Sequence, residues 1–436
     1  MSAINSARLR RLAKEGSWVL SGHVASVIGA LMLVRVLTEY LEPEQYGLLA
    51  LSLTIAGGVN QILMGGVTAG IGRYYSIAAE KNDLPCYLRA SRRLIGYATA
   101  VVAVIAMVLV AGLLLLGYFQ WISLVAAALV FSVLSGCNAT LSGILNAARN
   151  RVVVAFHAGL DAWLKILLAV SMMLWLGSSS TAVVWGYAIS SLLVTGSLLI
   201  FLRPSMRLKD NKPKSSTNWG SQIWLYSWPF SVFGAFTWLQ QISDRWALQT
   251  FASEHAVGLY AVVFQLGYVP IGLLTGIAMT FLGPILYQRS GDARDQSRNL
   301  SVHLIAWRIT SAGLLMTALA FVLSFFLHDW IFQMLVSEKY HAVSNLLPWT
   351  VLAGGVFSAG QMLALKLMSE MKSAVMTTAK IVTAILGVGL NIYGASQFGL
   401  KGVVVALVAF SCIYFFWMAW LTKLPPQSLN HHFPKL

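Results

Sequence analysis

An all-helical membrane protein of twelve spans in two six-helix lobes is the fold class this sequence predicts, and three observations carry it. The composition is apolar, the apolar runs are long enough to cross a bilayer, and the basic residues fall almost entirely on one side. The chain of 436 residues is 58% hydrophobic and 10% charged, with mean hydropathy +0.72, whereas soluble domains carry roughly 25% charged residues. A helix needs about 20 apolar residues to cross the hydrocarbon core. Such runs lie approximately at Gly16 to Leu37, Tyr46 to Gly70, Leu94 to Gly117, Trp121 to Leu145, Val152 to Leu176 and Ala182 to Leu202. A second six follow, approximately Ile223 to Phe251, Val257 to Leu282, Leu304 to Leu327, Leu346 to Met368, Val375 to Tyr393 and Gly402 to Leu421. Barrel strands, about 9 to 11 residues of alternating polarity, do not produce runs of this length.

The first run follows Arg8, Arg10, Arg11 and Lys14, as in a secretory signal, but it is too long and lacks a small-residue cleavage site. It reads as an uncleaved first helix. The sixth and seventh runs are separated by Arg203 to Gln222, with Pro204, Pro213 and five basic residues. That stretch is a linker, too short for a soluble domain. The expected organisation is therefore a lobe over 1–202, a basic linker over 203–222 and a second lobe over 223–436. A repeat supports it. Arg35…Glu44…Gly47 has a counterpart in Arg245…Glu254…Gly258, and each glycine is followed 25 residues later by another, Gly72 and Gly283. Duplicated halves recur in secondary transporters, where substrate crosses at the interface between repeats. Pro229, Pro270, Pro284 and Pro348 lie in or at the ends of second-half spans, where they remove helix hydrogen bonds.

Cytoplasmic loops retain lysine and arginine. Alternating the twelve spans puts 24 of the 30 basic residues on one side, against Lys339 and Lys401 on the other. Both termini are thus expected to be cytoplasmic, and the net charge of +15 is spread through short loops facing an anionic leaflet. No nucleic-acid-binding motif accompanies it. Cys86, Cys137 and Cys412 have no metal or disulfide spacing. The chain also lacks a phosphate-binding Gly-x-x-x-x-Gly-Lys-Ser/Thr, a His-Glu-x-x-His and a Gly-x-Ser-x-Gly, so neither an ATPase nor a familiar hydrolase is indicated, and no cofactor is expected. The glycines at 57, 58, 65, 66, 70 and 72 sit in an apolar run, where small residues permit close helix packing.

Charges within spans are the strongest local signal, because a central charge costs about 2.5 to 3.5 kcal/mol on insertion scales. Asp161 and Lys165 are four apart in the fifth run, hence on one helical face. They read either as part of a hydrated pathway, with lysine meeting an anion and aspartate holding it or titrating, or as an internally neutralised packing pair. Asp244-Arg245 in the seventh run has Gln240, Gln241 and Ser243 beside it. Arg35, Arg308 and Lys366 are cationic candidates that also suit snorkelling anchors, and Lys366 has Glu370 one turn on. Asn60, Gln61 and Gln265 are uncharged hydrogen-bonding candidates within spans.

Arg35-x-Leu37…Pro43-Glu44-x-Tyr46-Gly47, Pro229…Asp244-Arg245…Gly258-x-Tyr260 and Lys339-Tyr340…Leu347-Pro348 resemble the polysaccharide transporter family. That family includes O-antigen and exopolysaccharide flippases, within the multidrug, oligosaccharidyl-lipid and polysaccharide exporter superfamily. The resemblance covers essentially the whole chain in span count and landmark order. It implies two six-helix lobes, as in multidrug exporters of the superfamily, around a cationic cavity in the cytoplasmic (inner) membrane. It also implies transfer of undecaprenyl-diphosphate-linked glycan units from the inner to the outer leaflet; coupling to a proton or sodium ion through Asp161 or Asp244, and a polysaccharide polymerase and chain-length machinery as partners, are further expectations. Arg35, Lys165, Arg245, Arg308 and Lys366 are the expected cationic lining, Asn60, Gln61, Gln240, Gln241 and Gln265 the polar lining, and Asp161 and Asp244 the coupling carboxylates. A cation-coupled multidrug exporter, or a flippase for another lipid-linked precursor, is the alternative.

Overall fold

The computed structural model describes residues 21–22, 24–148, 150–206, 218–290, 296–370 and 373–423. Among them the regular structure is helical and no strand occurs. Helix α1 covers 24–40. Helix α2 is assembled from Pro43–Val59, a π-helical turn at Asn60–Met64, and Gly65–Glu80. Then come α3 (Leu84–Leu115), α4 (Phe119–Ala147), α5 (Arg151–Leu176) and α6 (Ser180–Met206). The second half has α7 (Trp219–Phe251), α8 (Glu254–Ser290), α9 (Gln296–Leu335), a 3₁₀ stretch at Glu338–Leu346, and α10 (Leu347–Ser369). Prolines occupy the first two positions of α2, α3 and α10, where a missing N–H costs nothing. The final stretch, Ser373–Lys423, breaks at Gly399, whose φ of 58° and ψ of −135° are non-helical. It gives α11 before the break and α12 after it, and the backbones of Gly394 and Gly402 approach so closely that neither has room for a Cβ.

Nine helical stretches among the described residues are long and apolar enough to cross a membrane. The twelve expected spans are not all recovered by this measure. Stretch 24–40 is short of a full span because the run's start at Gly16 lies outside the described residues. Helix α7 is diluted by Gln222, Gln240, Gln241, Asp244 and Arg245, and α11 and α12 register as one stretch. The duplicated landmarks fall on matching elements. Helix α2 begins at Pro43 and α8 at Glu254, 211 positions apart. The same offset sets Pro270 of α8 opposite Val59, the residue before the π turn of α2, so each of these helices has its hydrogen-bond ladder disturbed at the same place.

Packing divides the chain into two compact units, Met1–Ile242 and Ser243–Leu436. The division lies within α7, beyond the linker of 203–222, whose residues 207–217 are outside those described. Hydrocarbon offers no hydrophobic drive between helices, so close approach at small residues supplies the packing. In the first unit Gly22, just before α1, lies against Ala155, Gly29 lies against Ala162 and joins α1 to α5, and Gly186 lies on Ala169, joining α6 to α5. Gly58, Gly66 and Gly70 of α2 receive Trp238, Ser231 and Ser227 of α7. Helix α3 is peripheral and exposes Tyr97, Val104, Met107 and Val108, a surface suited to lipid. In the second unit α10 is central, with Gly355 against Thr317 of α9 and Gly360 against Tyr414 of α12. Helix α9 is the lipid-suited one, exposing Leu315, Met316 and Phe326.

Candidate functional site

In the first unit, the four-residue spacing of α5 brings Lys165 Nζ to 2.5 Å from Asp161 Oδ2. Ser190 of α6 donates to Asp161 Oδ1 at 3.1 Å, and the Phe131 ring of α4 lies 5.6 Å from the ammonium. Three helices thus build one site. The side chains of Lys165 and Asp161 remain 22% and 19% accessible, and an ammonium has three N–H donors of which Asp161 takes one. Such a site holds its charges neutralised when empty and still has donors to offer an anion.

A second polar group sits at the π turn of α2. A π turn inserts a residue into the helical ladder and is frequent at functional sites. Here it presents Asn60 and Gln61 in succession. Asn60 Nδ2 donates to Ser135 Oγ of α4 at 2.8 Å, and Gln61 Nε2 donates to Gln241 Oε1 of α7 at 2.8 Å. Asn60 Oδ1 and Gln61 Oε1 are buried without a partner, as is Ser227 Oγ of α7. A buried polar atom left unpaired costs about 1 to 3 kcal/mol.

In the second unit, Asp244 is almost fully enclosed. Its Oδ2 accepts from the Tyr260 hydroxyl at 2.6 Å, and its Oδ1 accepts from the Arg245 backbone N–H at 2.6 Å and from Arg245 Nη1 at 3.4 Å. The guanidinium lies over Phe264, 4.8 Å from the ring centre, and 5.9 Å from that of Tyr260. Next to it Asn391 of α11 donates to Ser243 Oγ at 2.8 Å. The side chains of Asp244 and Arg245 are 5% and 16% accessible. From Arg245 a series of rings, Tyr260, Phe264, Tyr268, Phe357 and Tyr414, leads from α8 across α10 to α12.

The remaining candidates are separate. Lys366 is buried in a pair with Glu370 at 2.9 Å, both nearly inaccessible at 3% and 7%, and donates to the Thr422 carbonyl at 3.3 Å. This ties the end of α10 to the end of α12. Arg35 is partly exposed and pairs with Glu39 at 3.4 Å. Arg308 is exposed on α9, and Gln240 and Gln265 are half-buried on α7 and α8.

Sequence reasoning missed Ser190 and Phe131, which reach Asp161 and Lys165 from other helices, and Tyr260 as the hydroxyl on Asp244. It also missed His157, buried in α5, which contacts the Val153 carbonyl at 2.7 Å and Ser197 Oγ at 2.9 Å. A further anchor, Trp219 Nε1 donating to Asp83 Oδ2 at 2.7 Å with Lys81 over the same indole, fixes the start of α7 to the α2–α3 turn. Tyr260 had one signal, its place two residues after Gly258 in the repeated landmark.

Residues 12–289 match the family described as polysaccharide biosynthesis protein, and the chain belongs to that family. Among solved structures, it is similar to the lipid II flippase MurJ in an inward closed conformation, with TM-score 0.72, 11% identity, and coverage of 94% of this chain and 88% of that one. An inward-facing multidrug resistance MATE family transporter of the MOP superfamily aligns with TM-score 0.65 and 14% identity, over 93% of this chain and 98% of that one. A MOP superfamily transporter from Pyrococcus furiosus, described as having a binding pocket of reverse polarity, aligns with TM-score 0.59 and 14% identity, over 94% and 96%. Identities this low establish the fold, that of the MATE and MurJ transporters. No curated protein matches at the level of sequence.

Proposed function

We propose that this member of the polysaccharide biosynthesis protein family is a flippase. It moves undecaprenyl-diphosphate-linked oligosaccharide units, of O-antigen or exopolysaccharide, from the inner to the outer leaflet of the cytoplasmic membrane by alternating access. Two six-helix lobes, twelve spans in all, make the transporter, and both termini are cytoplasmic. The observation that carries the reading is the partly accessible Asp161–Lys165 pair at mid-span in a chain whose fold is shared with a lipid II flippase.

The physical need is clear. A hydroxyl buried in hydrocarbon without a partner costs roughly 2 to 7 kcal/mol, so a multi-sugar diphosphate does not cross unaided at a useful rate. Lys165 supplies a cation for the diphosphate, and the arriving anion competes with Asp161 for it. Asp161, released from its ion pair, becomes the natural place for a coupling proton or sodium ion. Arg35, Arg245, Arg308 and Lys366 are further cations toward the substrate, ranked behind Lys165 because Lys366 and Arg245 are enclosed by protein partners and Arg308 is exposed on an outer helix. Outward movement of an anion is favoured by a negative-inside potential, by about 2.3 kcal/mol per charge per 100 mV. The delivered units then feed a polymerase and its chain-length machinery.

The multidrug reading demands a carboxylate free to meet an organic cation. Asp161 and Asp244 already hold Lys165 and Arg245, which favours an anionic substrate. The test is deletion of the gene with leaflet-specific detection of lipid-linked glycan: glycan is expected to accumulate in the inner leaflet and recover on complementation. Periplasmic glycan persisting in a strain without this protein or any paralogue contradicts the reading.

A further inference from the structure

The contact between α2 and the first part of α7 combines two features that do not belong together in a permanent seam. It is close-packed: Gly58, Gly66 and Gly70 leave no room for a Cβ against Trp238, Ser231 and Ser227, and Gly234 of α7 lies on the Gln61 backbone carbonyl. Trp238 Nε1 also donates to the Thr54 carbonyl at 2.8 Å. Yet the same seam encloses two polar atoms with no hydrogen-bond partner, Gln61 Oε1 and the Oγ of the fully buried Ser227, while the unpaired Asn60 Oδ1 beside them lies against Gly136 of α4. Alanine or leucine would pack such a seam without that penalty. The groups are satisfied only when the helices part and something else supplies donors and acceptors.

We propose that this seam opens during transport and is the site for the sugars: the hydroxyls of the glycan headgroup donate to Gln61 Oε1, and Ser227 donates to a sugar oxygen. Both are uncharged, and so is Gln241, which holds Gln61 across the seam in the closed form. That chemistry fits the hydroxyl-rich part of the substrate and leaves the diphosphate to Lys165. Gln61 lies in the π turn of α2, where the helix is widened. This assignment rests on the flippase reading.

The experiment uses the full chain in proteoliposomes with two probes, a polyprenyl diphosphate carrying a disaccharide and the same lipid diphosphate carrying none, the second as competitor. Gln61→Leu is expected to raise the apparent KM for the disaccharide probe at least tenfold, with the inhibition constant of the bare diphosphate within twofold of wild type. An unchanged KM, or equal weakening of both probes, overturns the sugar site while leaving the flippase intact. If wild type carries no disaccharide probe, the flippase reading fails and the sugar assignment with it. A second measurement guards against misfolding: Gln61→Cys, with Cys86, Cys137 and Cys412 replaced by alanine, is treated with N-ethylmaleimide. Alkylation slowed at least fivefold by the disaccharide probe and not by the bare one supports the site. A Gln61→Cys thiol that is never alkylated shows that the seam stays shut and overturns it.

Discussion

Asp161–Lys165 in α5 and Asp244–Arg245 in α7 are both carboxylate–cation pairs within apolar helices, yet the first keeps about a fifth of each side chain accessible, 19% and 22%, while the second keeps 5% and 16%. Their surroundings differ in the same sense. Asp161 has its lysine and one serine; Asp244 has a tyrosine hydroxyl, a backbone N–H and an arginine stacked on two rings. A charge with spare donors and some access can exchange its partner for a ligand. A carboxylate enclosed by protein partners, as Asp244 is at 5% accessibility, is fixed, and removing one of those partners leaves an uncompensated ion inside the protein. On the proposed reading the two units use the same chemistry for different ends, exchange in one and anchorage in the other.

The largest expected effect breaks the anchored pair. Arg245→Ala strands the Asp244 carboxylate, and losing one partner of a buried pair costs about 3 to 5 kcal/mol, so the variant should melt well below wild type in detergent. Unchanged melting would remove the distinction between the two pairs. Tyr260→Phe deletes one hydrogen bond to a charged group, worth about 1.5 to 3 kcal/mol, and should give a smaller drop in melting temperature. Lys165→Gln, at a partly accessible site, should lower stability by no more than about 1 kcal/mol. Asp161→Asn should fold normally and change the dependence of transport on protons or sodium. If transport and its ion dependence both stay as in wild type, Asp161 is not the coupling site. Arg35→Gln should have the smallest effect, with melting unchanged within about 1 kcal/mol, because its pair with Glu39 is exposed.

These contrasts also show what was legible in the sequence. Apolar runs and several of their breaks were, because a bilayer imposes length and composition on each span: the gap expected between Tyr393 and Gly402 contains the break at Gly399, and Pro43 and the 211-residue offset mark real helix ends. Asp161–Lys165 was readable because both partners lie on one helix. The partners that decide each pair's fate were not. Ser190 is 29 residues from Asp161 and Tyr260 is 16 from Asp244, on other helices, and no local periodicity links them. The π turn at Asn60–Met64 was equally hidden, since glycine and proline punctuation does not announce an inserted residue. The division at Ile242 was concealed because α7 is one continuous helix. Its first part packs on α2 through glycines that read, from sequence, only as small residues.

The most direct measurement is leaflet-specific detection of lipid-linked glycan in a deletion strain complemented with wild type, Lys165→Arg or Lys165→Gln at equal membrane abundance. If Lys165 is the exchangeable cation that receives the diphosphate, the glutamine variant delivers at least tenfold less glycan to the outer leaflet and the arginine variant restores most of it. Delivery by Lys165→Gln at the wild-type rate would contradict the account.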